Sequence, residues 1–128
     1  MKTFSIRDSS VNGSSKEAEI SLARAVKSLT GGKKPVFVCI GTDAVTGDSL
    51  GPLTGTVLSG KLRGKAYVLG TLDRPLTALD VNIASEFVKK VYPYGVVVAV
   101  DAALGRKDEV GSVLVSDCLL YTSDAADE

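Results

Sequence analysis

VFVCIGTDAVTGDSLGPLTG, residues 36–55, is the stretch whose reading decides the fold. Val36 to Ile40 is an unbroken apolar run rich in β-branched residues, the pattern of a central parallel strand covered on both faces. A loop rich in Gly and Asp follows, from Gly41 to Asp48. From Ser49 to about Leu62 the spacing of Leu50, Leu53, Val57 and Leu58 predicts a helix. Pro52 is compatible with it because it falls in the first turn, where a missing N–H costs nothing. Strand, loop and helix in that order make one half of a βαβ unit.

Working outward, the same alternation continues. Upstream, Ser14 and Glu17 have the spacing of a capping box, and Ile20, Ala23, Val26 and Leu29 mark a helix that Gly31 and Gly32 end. Downstream, Ala66 to Leu69 predicts a short strand. Leu76, Leu79, Ile83 and Phe87 predict a third helix, stopped before Pro93. Val96 to Val100 predicts a third strand, and Val113 to Val115 a further one. Helix and strand in alternation imply a three-layer α/β/α domain with a mostly parallel sheet. A single domain is expected over 15–117, behind a flexible lead-in, 1–14, rich in Ser, Asn and Gly.

Composition removes several function classes. Lys plus Arg balance Asp plus Glu at 15 each, so no net field favours nucleic acid or an anionic membrane. No apolar run approaches the ~20 residues that span a bilayer, and the N-terminus lacks the apolar segment of a signal peptide. A cytoplasmic protein is expected. Of the 2 cysteines, Cys39 lies inside the apolar run and reads as a small core residue, and neither forms a metal-ligand pattern with the other. The chain has 0 histidines, which excludes Ser/His/Asp and Cys/His catalysis within it and a structural zinc site of the usual kind.

The carboxylates carry the chemistry that remains. In an open parallel sheet, ligands bind beyond the carboxyl ends of the strands, where strand order reverses. Asp43 and Asp48 follow the first predicted strand, Asp73 the second, and Asp101 comes directly after the third. Aspartates held close together repel when ionised, so one keeps a proton beside an ionised neighbour, or a cation settles between them. All-oxygen ligands would favour magnesium, calcium or manganese. Asp48 or Ser49 could instead cap the second helix, and Asp43 and Asp73 could be solvated loop residues. The glycines at 41, 47 and 51 match neither GxxxxGK[ST] nor GxGxxG, so a phosphate loop has no support.

VFVCIGTDAVTGDSLGPLTG, LGTLDRPLTALD and VVVAVDAALGRKDEVGSVLV together resemble the successive motifs of the YyaC family of sporulation proteins from spore-forming Firmicutes. That family is similar in fold to hydrogenase maturation endopeptidases and to the germination protease. The resemblance implies a phosphorylase/hydrolase-like, maturation-peptidase-like fold in the cytoplasm of a sporulating cell. It implies a sporulation-linked peptidase with a protein or peptide substrate, aspartate-dependent or metal-assisted. Asp48, in GDSLG, and Asp101, in VAVDA, would be its catalytic pair and the ligands of any divalent metal. Gly41, Thr42, Asp43, Thr71 and Asp73 would bind substrate beside them, with Arg74 and Arg106 flanking the crevice. The alternative is a non-catalytic peptide- or metabolite-binding protein of the same fold.

Two departures stand out. The maturation endopeptidases use a histidine as a third metal ligand, which is missing here. The family's glycine-rich motif after its fourth strand is missing too. In its place CLLYTSDAADE, 118–128, resembles the translation of a sequencing-library adapter, which would make it a non-native tail on a C-terminally truncated chain.

Overall fold

A computed structural model describes residues 3–7, 16–103 and 107–117. By contacts the chain divides into two compact units: Met1–Gly32 with Leu104–Leu119, and Lys33–Ala103 with Leu120–Glu128. Ser14, Arg106 and 118–128, which figure in the expectations above, lie outside the described residues.

In the first unit, β1 (Thr3–Arg7) pairs antiparallel with β5 (Ser112–Ser116), from Thr3 opposite Ser116 to Arg7 opposite Ser112. Helix α1 (Lys16–Thr30) packs on both strands and buries Ala25. Two expectations are corrected here. Residues 3–7 form a strand instead of belonging to a flexible lead-in, because Phe4 and Ile6 have a pairing partner in β5. The strand expected at 113–115 exists, but it pairs with β1 and does not join the parallel sheet.

The second unit holds that sheet. Central β2 (Pro35–Cys39) lies between β3 (Tyr67–Leu69) and β4 (Val96–Val100), all parallel. The connections run through α2 (Leu50–Leu62) and α3 (Val81–Val91), the latter preceded by a 3-10 turn at Ala78–Asp80. Side chains alternate across a strand. Val36, Val38 and Ile40 therefore form one core with Leu76, Ala84 and Val88 of the α3 side, while Cys39 faces α2. Helices thus cover both faces of this three-stranded sheet. A ring cluster of Tyr67, Phe87 and Tyr92, with centroids 6.0 and 5.4 Å from Tyr67, closes one end of the α3 face. The Lys34 ammonium stands 5.5 Å from the centre of the Tyr92 ring.

The faces these helices bury differ from those the periodicity predicts. On α2, Leu50, Leu53 and Val57 are exposed, and the helix turns Gly51, Pro52 and Gly55 to the sheet. A methyl group at Gly51 would overlap the Ile40 backbone, and one at Gly55 the Gly70 carbonyl oxygen. The backbone comes that close only where side chains are absent, so small residues occupy the contact and the leucines cannot. On α3, Ala84 and Val88 are buried, whereas Leu79 and Ile83 are 91% and 74% exposed. The 3-10 turn is the reason: Thr77 donates to Asp80 Oδ2 through its amide (3.0 Å) and hydroxyl (2.9 Å), which starts α3 later and rotates its face. Among the described residues no helix is long and apolar enough to cross a membrane.

Two predictions follow from this packing. Gly55→Ala lowers the unfolding free energy in urea by about 2 kcal/mol through overpacking against backbone. Gly60→Ala, on the same helix with nothing within 4 Å of the added methyl, raises it by about 0.5–1 kcal/mol. Equal effects would show that α2 does not ride on the sheet through its glycines. Cys39 is fully buried and loss of water pushes its thiol up to about 11. In a Cys118→Ser background, thiol reagents should modify the protein no faster than it unfolds. Its folded value lies above the ordinary 9.0, so the unfolded state releases the proton first and stability falls as pH rises above that ordinary value.

Candidate functional site

Strand order β3-β2-β4 means that the chain leaves β2 toward one side and returns to its other side. Strand order reverses between β2 and β4, and in open parallel sheets ligands bind beyond the carboxyl ends of strands at such a reversal. The Ile40 amide donates to the Val100 carbonyl at 2.8 Å, which ties the two strand ends together immediately before Gly41 and Asp101.

The loop after β2 is folded on itself. The Thr42 amide donates to the Asp48 carbonyl at 3.0 Å, the Asp48 amide to the Val45 carbonyl at 3.1 Å, and the Ala44 amide to Thr42 Oγ1 at 3.1 Å. These bonds bring Asp48 back over Gly41, whose φ of 141° and close approach to the Asp48 carbonyl leave no room for a side chain. Gly41 also donates to the Leu76 carbonyl at 2.8 Å, which draws the loop after β3 to the same edge of the sheet.

Asp48 is half-buried. Capping does not account for it: the residue at the start of α2 is Ser49, and no side chain caps that end. Asp101 carries the electrostatic signature of the site. Its carboxyl is held above the ordinary aspartate range, first by partial loss of water and then by the negative charge of Asp48, with the Ala102 amide pulling the other way by hydrogen bonding. Asp101 remains exposed as a residue, so the desolvation is partial, and the Asp48 charge is the contribution specific to this arrangement. The charge of Asp48 thus reaches Asp101 across the ends of β2 and β4.

The other expected residues occupy different positions. Asp43 and Asp73 are exposed at loop tips, and Asp48 is the carboxylate whose charge reaches Asp101. Thr71 closes its own turn: its amide donates to the Arg74 carbonyl and its hydroxyl accepts from the Arg74 amide, each at 3.1 Å. The hydroxyls of Thr42 and Thr71 thus hold loop geometry and still have a proton to donate to a ligand. Among the described residues no group of three His, Cys, Asp or Glu could hold a metal. Asp48 and Asp101 alone suit at most a hard ion that keeps most of its water, as magnesium does.

Sequence reasoning missed Thr56. From mid-α2 its hydroxyl donates to the Pro52 carbonyl at 2.9 Å and accepts from the Leu72 amide at 3.0 Å. It pins the loop after β3 to the helix after β2. The available signal was a Thr beside Gly55 on the helix face that carries Pro52, where a hydroxyl could bond back to the turn before it.

No solved structure matches the chain. Over 86 residues it is 44% identical to the uncharacterized protein YyaC of Bacillus subtilis (strain 168), an alignment that covers 67% of this chain and 42% of that protein. The chain therefore spans less than half the length of this relative. The family described as protein of unknown function (DUF1256) matches residues 10–127, a range that holds both aspartates and every element from α1 to β5. The chain belongs to that family, and YyaC is a relative of it.

Proposed function

We propose that this chain carries the aspartate pair of a sporulation-linked, cytoplasmic peptidase, with Asp48 as general base and Asp101 as general acid. The observation behind this reading is the shared position of the two carboxylates at the β2/β4 reversal, with the proton affinity of Asp101 raised by Asp48. Neighbouring carboxylates whose environments drive their proton affinities apart are the usual arrangement for acid–base work.

The proposal divides the two proton transfers between the pair. Asp48, ionised, takes a proton from a water whose oxygen attacks the peptide carbonyl carbon. Asp101, protonated, gives its proton to the leaving nitrogen as the C–N bond breaks, and the proton on Asp48 passes back through solvent to restore Asp101. A hydrated divalent ion between the two carboxylates would polarise the carbonyl or the water instead. Gly41, Thr42, Asp43, Thr71 and Asp73, on the two loops of this edge, are the substrate-binding residues of the proposal.

The test is hydrolysis of a quenched-fluorescent peptide library, with and without magnesium or manganese, by the parent, Asp48→Asn and Asp101→Asn. Each substitution should lower kcat/KM by about 10²–10⁴, and Asp101→Asn should also remove the limb of the pH profile on which activity falls as Asp101 ionises. Cleavage that is unchanged in both variants would sink the roles, and saturable binding without turnover would favour a binding protein. Stability provides a second, independent readout. Because the folded state holds the Asp101 proton above its ordinary 3.8, folding binds a proton as pH rises through that window and stability falls there. Asp101→Asn should abolish that decline and melt no lower than the parent at neutral pH.

A further inference from the structure

We propose that the outer edge of β3 and the exposed flank of α3 form a groove that takes an extended peptide as an added strand, with Arg74 pairing to a carboxylate of that peptide. β3 is an outer strand of its sheet, so alternate backbone N–H and C=O groups along Tyr67–Leu69 point away from β2 with no strand among the described residues to meet them. An open cavity of about 550 Å³ lies along this edge and is bounded by the β3 backbone, Ile83 and Phe87 of α3, and Arg74. Main-chain hydrogen bonds from such an edge supply affinity, and pockets for alternate side chains supply selectivity.

The features of the groove agree on an occupant. Ile83 and Phe87 are exposed apolar residues four apart on α3, one helical turn, so they sit on the same side above the strand edge. They suit an apolar side chain of the incoming strand. Arg74 stands in the turn that follows β3, exposed and without an ion pair among the described residues. Asp80, the acidic residue lining the same cavity, is engaged by the Thr77 amide and hydroxyl. Arg74 makes no ion pair with Asp80 among the described residues, so its guanidinium, at the carboxyl end of β3, is left to pair with a peptide carboxylate. An added strand lies about 10 Å from β2 and about 15 Å from β4, two and three interstrand spacings away, with Arg74 at the carboxyl end of β3. That the bound peptide is a substrate rests on the proposed peptidase reading; its binding in the groove does not.

The experiment is fluorescence anisotropy with Asp48→Asn/Asp101→Asn protein, so that turnover does not interfere. The probes are a labelled β-prone peptide with alternating Val and Thr and a central Glu, the same peptide with Gln for Glu, its C-terminal amide, and a form with N-methylated alternate residues. The groove predicts that N-methylation abolishes binding and that Ile83→Glu weakens it about tenfold. Arg74→Glu should weaken the acidic peptide about tenfold and favour a Lys-bearing one. The Gln and amide peptides show whether the side chain or the C-terminus supplies the carboxylate. Binding that is indifferent to N-methylation, Ile83→Glu and Arg74→Glu would overturn the groove, as would self-association through β3 that Ile83→Glu disrupts and that excludes peptide. Peptide hydrolysis by the parent with both groove variants fully active would overturn the groove alone. Binding as described with no hydrolysis would leave the groove standing and remove the peptidase.

Discussion

Close contact between the α2 backbone and the carboxyl ends of β2 and β3 is the constraint on which the site depends. Gly51 meets Ile40 and Gly55 meets Gly70 with no space for a side chain between them. That contact sets where the helix begins, and so where the loop from Gly41 to Asp48 has to end. Thr56, on the same helix, holds the Leu72 amide and orients the loop after β3 from the same platform. A small-residue helix face here acts as a spacer for two loops as well as a packing surface.

With the loop ends held, the reversal of strand order does the rest. β2 and β4 are neighbours although a helix, a strand and a second helix separate them in sequence. The loop after β2 and the residue after β4 therefore meet, and like charges come together that the chain would otherwise keep apart. Partial burial raises the proton affinity of Asp101 first and the negative charge of Asp48 raises it further, while the Ala102 amide partly compensates. Perturbed carboxyl groups of this kind concentrate at functional sites and also occur in structural charge networks.

The apolar residues left outside are the other side of the same constraint. Because α2 presents glycine to the sheet and α3 starts late after its 3-10 turn, Leu50, Leu53, Val57, Leu79 and Ile83 point to the surface. The α2 and α3 residues of this set lie on opposite faces of the sheet, and Ile83 belongs to the α3 side. Beside β3 that side adjoins a strand edge and an arginine that are unpaired among the described residues. The relative YyaC is much longer than the segment it shares with this chain.

Local sequence determined the strands at 36–40 and 96–100 and the helix after the GDSLG segment, because runs of β-branched residues and punctuation by Gly and Pro act within a few residues. It also placed Asp43, Asp48, Asp73 and Asp101 after the strands, and the resemblance of GDSLG and VAVDA singled out Asp48 and Asp101. Helix faces were beyond it: spacing favoured Leu50, Leu53, Ile83 and Phe87, and the buried positions are Gly51, Gly55, Ala84 and Val88. Periodicity records hydrophobicity, whereas burial in this fold is decided by how closely two backbones can approach. The partner of 112–116 was hidden for a related reason, because pairing between β1 and β5 joins the two ends of the sequence. The raised proton affinity of Asp101 was equally out of reach, since it arises from partial burial and from the charge of a residue 53 positions away, whose influence depends on the return of β4 to the side of β2.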